Sequence, residues 1–279
     1  MPSPVKRVLV LSDDSKVSIP ETRRQLCSWL EGRVEVLSGP EGFEGDLSQV
    51  EADLVVVLGG DGSILSAVRR MGSRQIPVVG VNFGKLGFLS EFEAGDLPDG
   101  LEPILAGQYR ESSRMRLEVQ VCRGDKILHE GCALNDAVLS RSHNRLVEIR
   151  VWAGEEEITS YGGDGVILST PVGSTAYSLS AGGPIVHPEM DVALITPICS
   201  HTLTNRPLVL PIQQGIRCEL IGEESVCSLT LDGQVGIEIE SGVQVRCRPS
   251  ANPALLVDTR RRTVYEVLRS KLHWGIPPS

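Results

Sequence analysis

The chain has no excess of positive charge: among its 279 residues, 27 Lys and Arg stand against 36 Asp and Glu, a formal net charge of −9. A chain of that sign has no bulk electrostatic grip on nucleic acid or on an anionic membrane, so any phosphate it binds has to be held locally. It lacks an apolar run near the roughly 18 residues that a spanning helix needs, and Met1 to Leu11 carries too short an apolar stretch for a secretory signal. The expected location is the cytoplasm, with neither membrane nor nucleic acid as a partner. No C-x-x-C pair occurs, and the seven cysteines (Cys27, Cys122, Cys132, Cys199, Cys218, Cys227 and Cys247) are odd in number. Both facts argue against a disulfide framework or a zinc knuckle, and the thiols are expected to be buried. No two of His143, His201 and His273 share the H-x-x-x-H spacing of helical ligands, so no metal held by protein side chains is expected. Internal repeats and low-complexity linkers are also missing.

What is present is an ordinary globular composition, 41% hydrophobic and 23% charged, in a length that suits one large or two modest domains. Two textures meet near residue 112. Before it, the apolar runs Arg7 to Leu11, Arg33 to Leu37, Leu54 to Leu58 and Ile76 to Val81 alternate with helical patterns at Glu21 to Leu30 and Ser63 to Met71. That alternation predicts an α/β domain built on a parallel sheet. After it come short stretches of strand character between turn residues: Leu117 to Val121, Leu146 to Trp152, Gly165 to Leu168, Ile216 to Ile221, Val226 to Leu231 and Val243 to Arg248. This spacing predicts a mostly β, sandwich-like domain over 113–260. Thr263 to Leu272 returns to helical periodicity, and the tail from 261 to 279 is expected to pack back on the domain of residues 1–112 or on a neighbouring subunit. The run Glu155-Glu156-Glu157 reads as a solvated turn.

The first chemical signal is Gly59-Gly60-Asp61-Gly62-Ser63, directly after the apolar strand Leu54 to Leu58 and directly before a helix carrying Ile64, Leu65, Ala67 and Val68. Glycines there let backbone N–H groups approach phosphate oxygens, and the helix start adds a positive end. Asp61 is out of place in an anion-binding turn unless it handles a proton or a metal ion. An Asx turn or a helix cap is the structural alternative. The loop is neither the G-x-x-x-x-G-K-[ST] pattern nor the G-x-G-x-x-G fingerprint. It resembles the GGDG signature shared by NAD kinases, phosphofructokinases and the diacylglycerol and sphingosine lipid kinases.

The second signal runs from Asp164 to Ile185, DGVILSTPVGSTAYSLSAGGPI. A strand ends at Thr170-Pro171, Gly173 makes a turn, and Ser174-Thr175 open a short helix of small residues. Hydroxyls and N–H groups at such a start suit an adenine edge, and Tyr177 offers a packing face; close packing in a core is the alternative. Over these twenty or so residues the segment resembles the NAD kinase signature. Leu134-Asn135-Asp136-Ala137, Cys199 to Leu203 with Arg206-Pro207-Leu208, Leu231-Asp232-Gly233-Gln234 and Lys271-Leu272-His273-Trp274 are similar to that family's other motifs, in the same order. The resemblance covers the chain from about Leu54 to its end.

The resemblance implies a kinase that moves a phosphoryl group from ATP, or from polyphosphate, to the 2′-hydroxyl of the adenosine ribose of NAD, giving NADP. It implies a donor-binding α/β domain (1–112, with 261–279) and an NAD-binding β domain (113–260). Asp61 becomes the general base, with Gly59, Gly60, Gly62 and Ser63 forming the phosphate loop. Asp61 and Gly62 meet ribose and phosphates, and Asn135 and Asp136 hold the adenosine half. Arg145 contacts the cofactor, and Asp164 accepts hydrogen bonds at the nicotinamide end. Thr175, Ala176, Tyr177, Ser178, Leu179 and Ser180 line the adenine pocket, and Gln234 closes the site. A divalent ion, Mg2+ by preference, travels with the nucleotide, and a homodimer or homotetramer is implied. Ser63 stands where Thr is usual, Val172 where many relatives have Thr or Ser, and Gly162 where some bacterial relatives are basic. These departures bear on affinity and donor choice. The alternatives are a lipid or sugar kinase with the same glycine loop, and a dinucleotide sensor without catalysis.

Overall fold

Every residue of Leu54–Leu58 is apolar, a pattern that suits a strand covered on both faces. In the computed structural model, which describes residues 2–13, 18–37, 45–84, 87–142, 146–202, 204–222 and 225–274, this strand lies inside a parallel sheet. The sheet belongs to the first of two units, Met1–Ser113 together with Ala254–Ser279; Arg114–Pro253 forms the second.

The first unit runs through β1 (Arg7–Ser12), α1 (Ile19–Leu30), β2 (Glu35–Leu37), β3 (Leu54–Leu58), α2 (Asp61–Arg70), β4 (Val78–Asn82), β5 (Phe92–Glu93), α3 (Leu101–Leu105) and β6 (Arg110–Arg114). The second contains β7 (Leu117–Arg123), β8 (Lys126–Ala133), β9 (Asp136–Arg141), β10 (Val147–Ala153), β11 (Glu156–Gly163), β12 (Gly165–Ser169), α4 (Tyr177–Ser180), β13 (Val192–Ile198) and β14 (Leu208–Pro211). It ends with β15 (Ile216–Ile221), β16 (Val226–Leu231), β17 (Val235–Glu240) and β18 (Gln244–Pro249). The chain then returns to the first unit with β19 (Ala254–Asp258) and α5 (Val264–Leu272). The return begins with a strand and not with the helix that periodicity marks, because Leu256 pairs with Val78 of β4.

The sheet of the first unit has the order β2-β1-β3-β4-β19-β6, with β5 beside β4. The pairs β1–β2, β1–β3, β3–β4, β4–β5 and β4–β19 are parallel. β3 and β4 are buried along their whole length, and Val8, Val10, Leu54, Val56, Val79 and Val81 share one core with Ile19, Leu26 and Leu30 of α1. Parallel strands bring their carboxyl ends to one edge, so the segments that follow β3, β4 and β19 emerge side by side.

The second unit is a sandwich of two six-stranded sheets, β11-β10-β15-β18-β7-β8 and β14-β13-β12-β9-β16-β17, paired antiparallel. Its strands alternate as such a sandwich demands: Leu117, Val119 and Val121 point into the core while Glu118 and Gln120 stay half in water. That core joins both sheets through Val147, Ile149, Leu139, Val166, Leu168, Ile195 and Leu229.

Two expectations are corrected. Cys122, Cys218, Cys227 and Cys247 are buried and Cys27 and Cys132 half-buried, but Cys199 is exposed, because it leaves β13 in a turn at φ +45°. All seven are free thiols, and burial pushes those of Cys227 and Cys247 up to about 12. Glu156 and Glu157 also lie in β11 opposite Ala153 and Trp152, because Gly154 at φ +58° makes the turn a residue earlier. Among the described residues no helix is long and apolar enough to cross a membrane.

Candidate functional site

In the first unit, β3 ends at Leu58 and α2 begins at Asp61, leaving only Gly59 and Gly60 between them. The N–H of Gly59 donates to the carbonyl of Val81 at 2.9 Å, which ties the loop to β4. A Cβ on Gly59 would overlap the side chain of Ser63, so that glycine is required by the packing of the first helical turn. Gly60 is extended (φ −88°, ψ −175°), and a Cβ there would meet nothing within 4 Å. Gly62 is exposed and Ser63 half-buried, both in the first turn of α2, whose positive end faces the loop.

The carboxylate of Asp61 is held from outside its own helix. Oδ2 accepts the N–H of Phe88 at 2.8 Å; Oδ1 accepts the N–H of Leu89 and the hydroxyl of Ser90, each at 3.2 Å. These partners lie 27 to 29 residues further along the chain, so a local Asx turn or cap does not account for the residue. A carboxylate oxygen has two lone pairs, so Oδ2, with one donor among the described residues, keeps capacity for another. The segment 87–90 had no place in the sequence-based site. Its signal was available: Gly84 and Gly87 follow β4 much as Gly59 and Gly60 follow β3.

In the second unit the hub is Asp232. With Gly233 it occupies the two central positions of the turn joining β16 to β17, at φ +52° and +64°, and Gln234 closes the turn by donating its N–H to Leu231 at 2.9 Å. The Asp232 carboxylate accepts the N–H groups of Leu134 (3.0 Å), Asn135 (2.7 Å) and Asp136 (3.2 Å), and its own N–H donates to the carbonyl of Asp136 at 2.9 Å. From the other side, Thr170 donates its N–H to the Asn135 carbonyl at 2.9 Å and its hydroxyl to the Leu134 carbonyl at 2.6 Å. Gly173 donates to the Thr170 hydroxyl at 3.1 Å, and a Cβ at Gly173 would overlap the Asn135 carbonyl. Asn135, Asp136, Gln234 and the head of the 172–175 turn are thereby brought together. Sequence reasoning named Gln234 and passed over Asp232, although both stand in one motif.

Asp136 is buried. Burial, and then the nearby charge of Asp232, push its carboxyl up to about 7. Near neutrality it therefore exists in both forms and is able to donate as well as accept.

Beyond Thr170 the chain makes a 3-10 turn at Val172–Thr175 and then the single turn of α4. Tyr177 and Ser180 are exposed and Thr175, Ala176 and Leu179 half-buried, whereas Ser178 is closed off: its hydroxyl pairs with that of Thr196 at 2.8 Å. Asp164 precedes β12 and pairs with Arg141 at 3.0 Å. The intervening strand sets it about 20 Å of backbone away from Thr170. Arg145 lies outside the described residues. Among the described residues no group of three or more His, Cys, Asp or Glu is placed to hold a metal ion.

Residues 44–109 match the family described as ATP-NAD kinase N-terminal domain, and residues 134–259 match the ATP-NAD kinase C-terminal domain, so the Asp61 cluster falls in the first match and the Asp232 cluster in the second. The chain is 48% identical over 225 residues to an NAD kinase of Geobacter metallireducens, covering 80% of each chain. It is 45% identical over 262 residues to that of Geobacter sulfurreducens, covering 90% of this chain and 92% of the relative. A crystal structure of yeast NADH kinase complexed with NADH superposes with a TM-score of 0.86 at 28% identity, covering 99% of this chain and 90% of that one.

Proposed function

The chain belongs to the NAD kinase family, and from that membership we infer that it transfers the terminal phosphoryl group of ATP to the 2′-hydroxyl of the adenosine ribose of NAD, giving NADP. The observation that carries the chemistry is the Asp61 carboxylate at the head of α2, oriented by three donors and retaining acceptor capacity on Oδ2. A ribose hydroxyl is a weak nucleophile. Asp61 accepts its proton as the oxygen bonds to the terminal phosphorus of the donor, and ADP leaves.

Phosphoryl transfer depends on positioning and on charge stabilisation more than on reactive side chains. Gly59, Gly60, Gly62 and Ser63 are assigned to the donor phosphates, where the open space at Gly60 leaves backbone accessible. Asn135 and Asp136 are assigned to the adenosine half, Thr175 to Ser180 to the adenine, Asp164 to the nicotinamide end and Gln234 to closure. Ser178 serves through its hidden bond to Thr196, which holds α4 in place. We assign the divalent ion to the nucleotide: Mg2+ carried with it would neutralise charge on the donor phosphates. Polyphosphate is the second donor we propose, since the loop needs only a phosphate chain. We also propose a cytoplasmic enzyme assembled as a homodimer or homotetramer, with the edge strands β8 and β14 exposing Ile127, Leu208 and Val209 as pairing surface.

The test is to mix the protein with NAD, ATP and magnesium and to detect NADP with an NADP-specific dehydrogenase, with Asp61→Asn alongside. NADP from the parent and a loss of about 100-fold or more in the variant are expected for removal of a general base. Near-normal turnover by Asp61→Asn would remove Asp61 from that role.

A further inference from the structure

Among the described residues three donors fix the Asp61 carboxylate, and all three belong to the strap Phe88–Ser90. The accuracy of the base is therefore the accuracy of that strap. The strand that follows it, β5, is two residues long and, among the described residues, pairs with the end of β4, through Val81–Phe92 and Asn82–Glu93. One further backbone bond, from the N–H of Glu91 to the carbonyl of Gly80 at 3.0 Å, joins the strap to β4. So short a strand supplies little hold by itself.

Phe92 is buried in the core of the first unit, and a further hold comes from the far end of the chain. Thr259, just after β19, donates its N–H at 3.0 Å and also its hydroxyl to Oε1 of Glu91. Glu91 is the neighbour of Ser90, so this tie lies one residue from the Asp61 contact. Two residues on, the guanidinium of Arg261 sits 5.0 Å from the centre of the Phe92 ring and pairs with Asp96 at 3.4 Å. The segment Thr259–Arg261 thus fastens the chain just beyond the strap, at Glu91, Phe92 and Asp96, and the parallel sheet makes this possible by bringing the ends of β4 and β19 to one edge.

We propose that Glu91 and Thr259 are positioning residues for catalysis: their paired hydrogen bonds tie the strap that orients the Asp61 carboxylate to the carboxyl end of β19. This rests on Asp61 acting as the base. Neither residue touches substrate; each acts through the strap. Phosphoryl transfer is steeply sensitive to placement, and displacement by about 1 Å costs on the order of 100-fold. Loosening one of several ties costs less.

The experiment is a kinetic cycle on the full-length protein with Glu91→Ala, Thr259→Val, Thr259→Ser, Asp61→Asn and the double variant Asp61→Asn with Glu91→Ala, each checked by thermal melting. Glu91→Ala is expected to lower kcat by about 10-fold with KM for NAD and ATP within about twofold. Thr259→Val, whose N–H still reaches Glu91, lowers kcat less, and Thr259→Ser restores it. In the double variant turnover falls no further than in Asp61→Asn alone, because Glu91 then has no base to position. Unchanged kcat in both Glu91→Ala and Thr259→Val overturns the inference. So does a Glu91→Ala penalty as large on the Asp61→Asn background as on the parent, which would mean that Glu91 acts independently of Asp61. Retained turnover in Asp61→Asn alone overturns the base assignment itself, which keeps the two failures apart. Should Glu91→Ala melt before assay, the Thr259 pair carries the test.

Discussion

A methyl group on Gly87 would overlap the carboxylate of Asp61, so the backbone at Gly87 forms a wall against which the base is pressed. The overlap involves both carboxylate oxygens and the carbon between them, so the group that has to move aside is the carboxylate itself. Gly87→Ala is therefore expected to rotate the Asp61 carboxylate away from Phe88, Leu89 and Ser90 and to lower kcat by about 100-fold while KM for NAD changes little. Steady-state kinetics on the folded variant decides it. An unchanged kcat would show that Asp61 tolerates displacement and is not the proton acceptor.

Asp232 organises the second cluster as the strap organises the first. Its carboxylate answers three consecutive N–H groups, so Asp232→Ala strands Leu134, Asn135 and Asp136 without their acceptor and removes a side chain suited to positive φ. Hydrogen bonds to a charged acceptor contribute about 1.5–3 kcal/mol each, not additively. The variant is expected to lose a few kcal/mol of stability by that measure and to bind NAD about 10-fold more weakly. Asp232→Asn, with one carbonyl oxygen and the same tolerance of the left-handed region, should fall between. Isothermal calorimetry with NAD reads the affinity, and equal affinity in all three proteins would separate Asp232 from the acceptor site.

The glycine loop at 59–63 was legible because its signal is local: apolar strand, two glycines, amphipathic helix. Its partner strap was not, because the bonds from Phe88 and Ser90 to Asp61 span 27 and 29 residues and no periodicity records such a contact. β15 and β16 were found to the residue through clean alternation. β8 and β11, lying at sheet edges, carry Lys126, His129, Glu156 and Glu157 on exposed positions and so lost the apolar signature. Pro197 argues against a strand at 192–198, yet β13 accommodates it because β14 pairs only with Val192 to Ile195 and leaves Pro197 beyond its end.

Ser178 and Tyr177 are adjacent in sequence and face different tasks. Ser178 is fully buried with its hydroxyl on Thr196 and Gly183 packed against it, while Tyr177 is 46% exposed. Ser178→Ala leaves the Thr196 hydroxyl without its partner, which costs about 1–3 kcal/mol of stability and should leave KM for NAD unchanged. Tyr177→Ala should leave stability within about 0.5 kcal/mol and raise KM for NAD severalfold if the ring packs on the adenine. Thermal melts and kinetics on the pair test this, and the reverse assignment would place the adenine elsewhere.

Asp136 makes stability depend on pH in a direction opposite to that of most carboxylates. Its carboxyl is raised from 3.8 to about 7 by burial and by the Asp232 charge, so the folded form keeps a proton that the unfolded chain gives up. At pH values below the unfolded value both states are protonated and the contribution to stability is fully present. As pH climbs from about 4 to about 7 only the unfolded chain releases the proton, and stability falls; above the folded value both states are ionised and the loss is complete. Asp136→Asn has no proton to lose, so the parent's unfolding free energy relative to this variant should decline across that window by on the order of a few kcal/mol. Denaturant unfolding of both proteins at intervals from pH 4 to pH 8 measures the difference. A difference flat with pH would mean that Asp136 is already ionised in the folded protein at low pH, held as an anion by a partner stronger than the burial that opposes it.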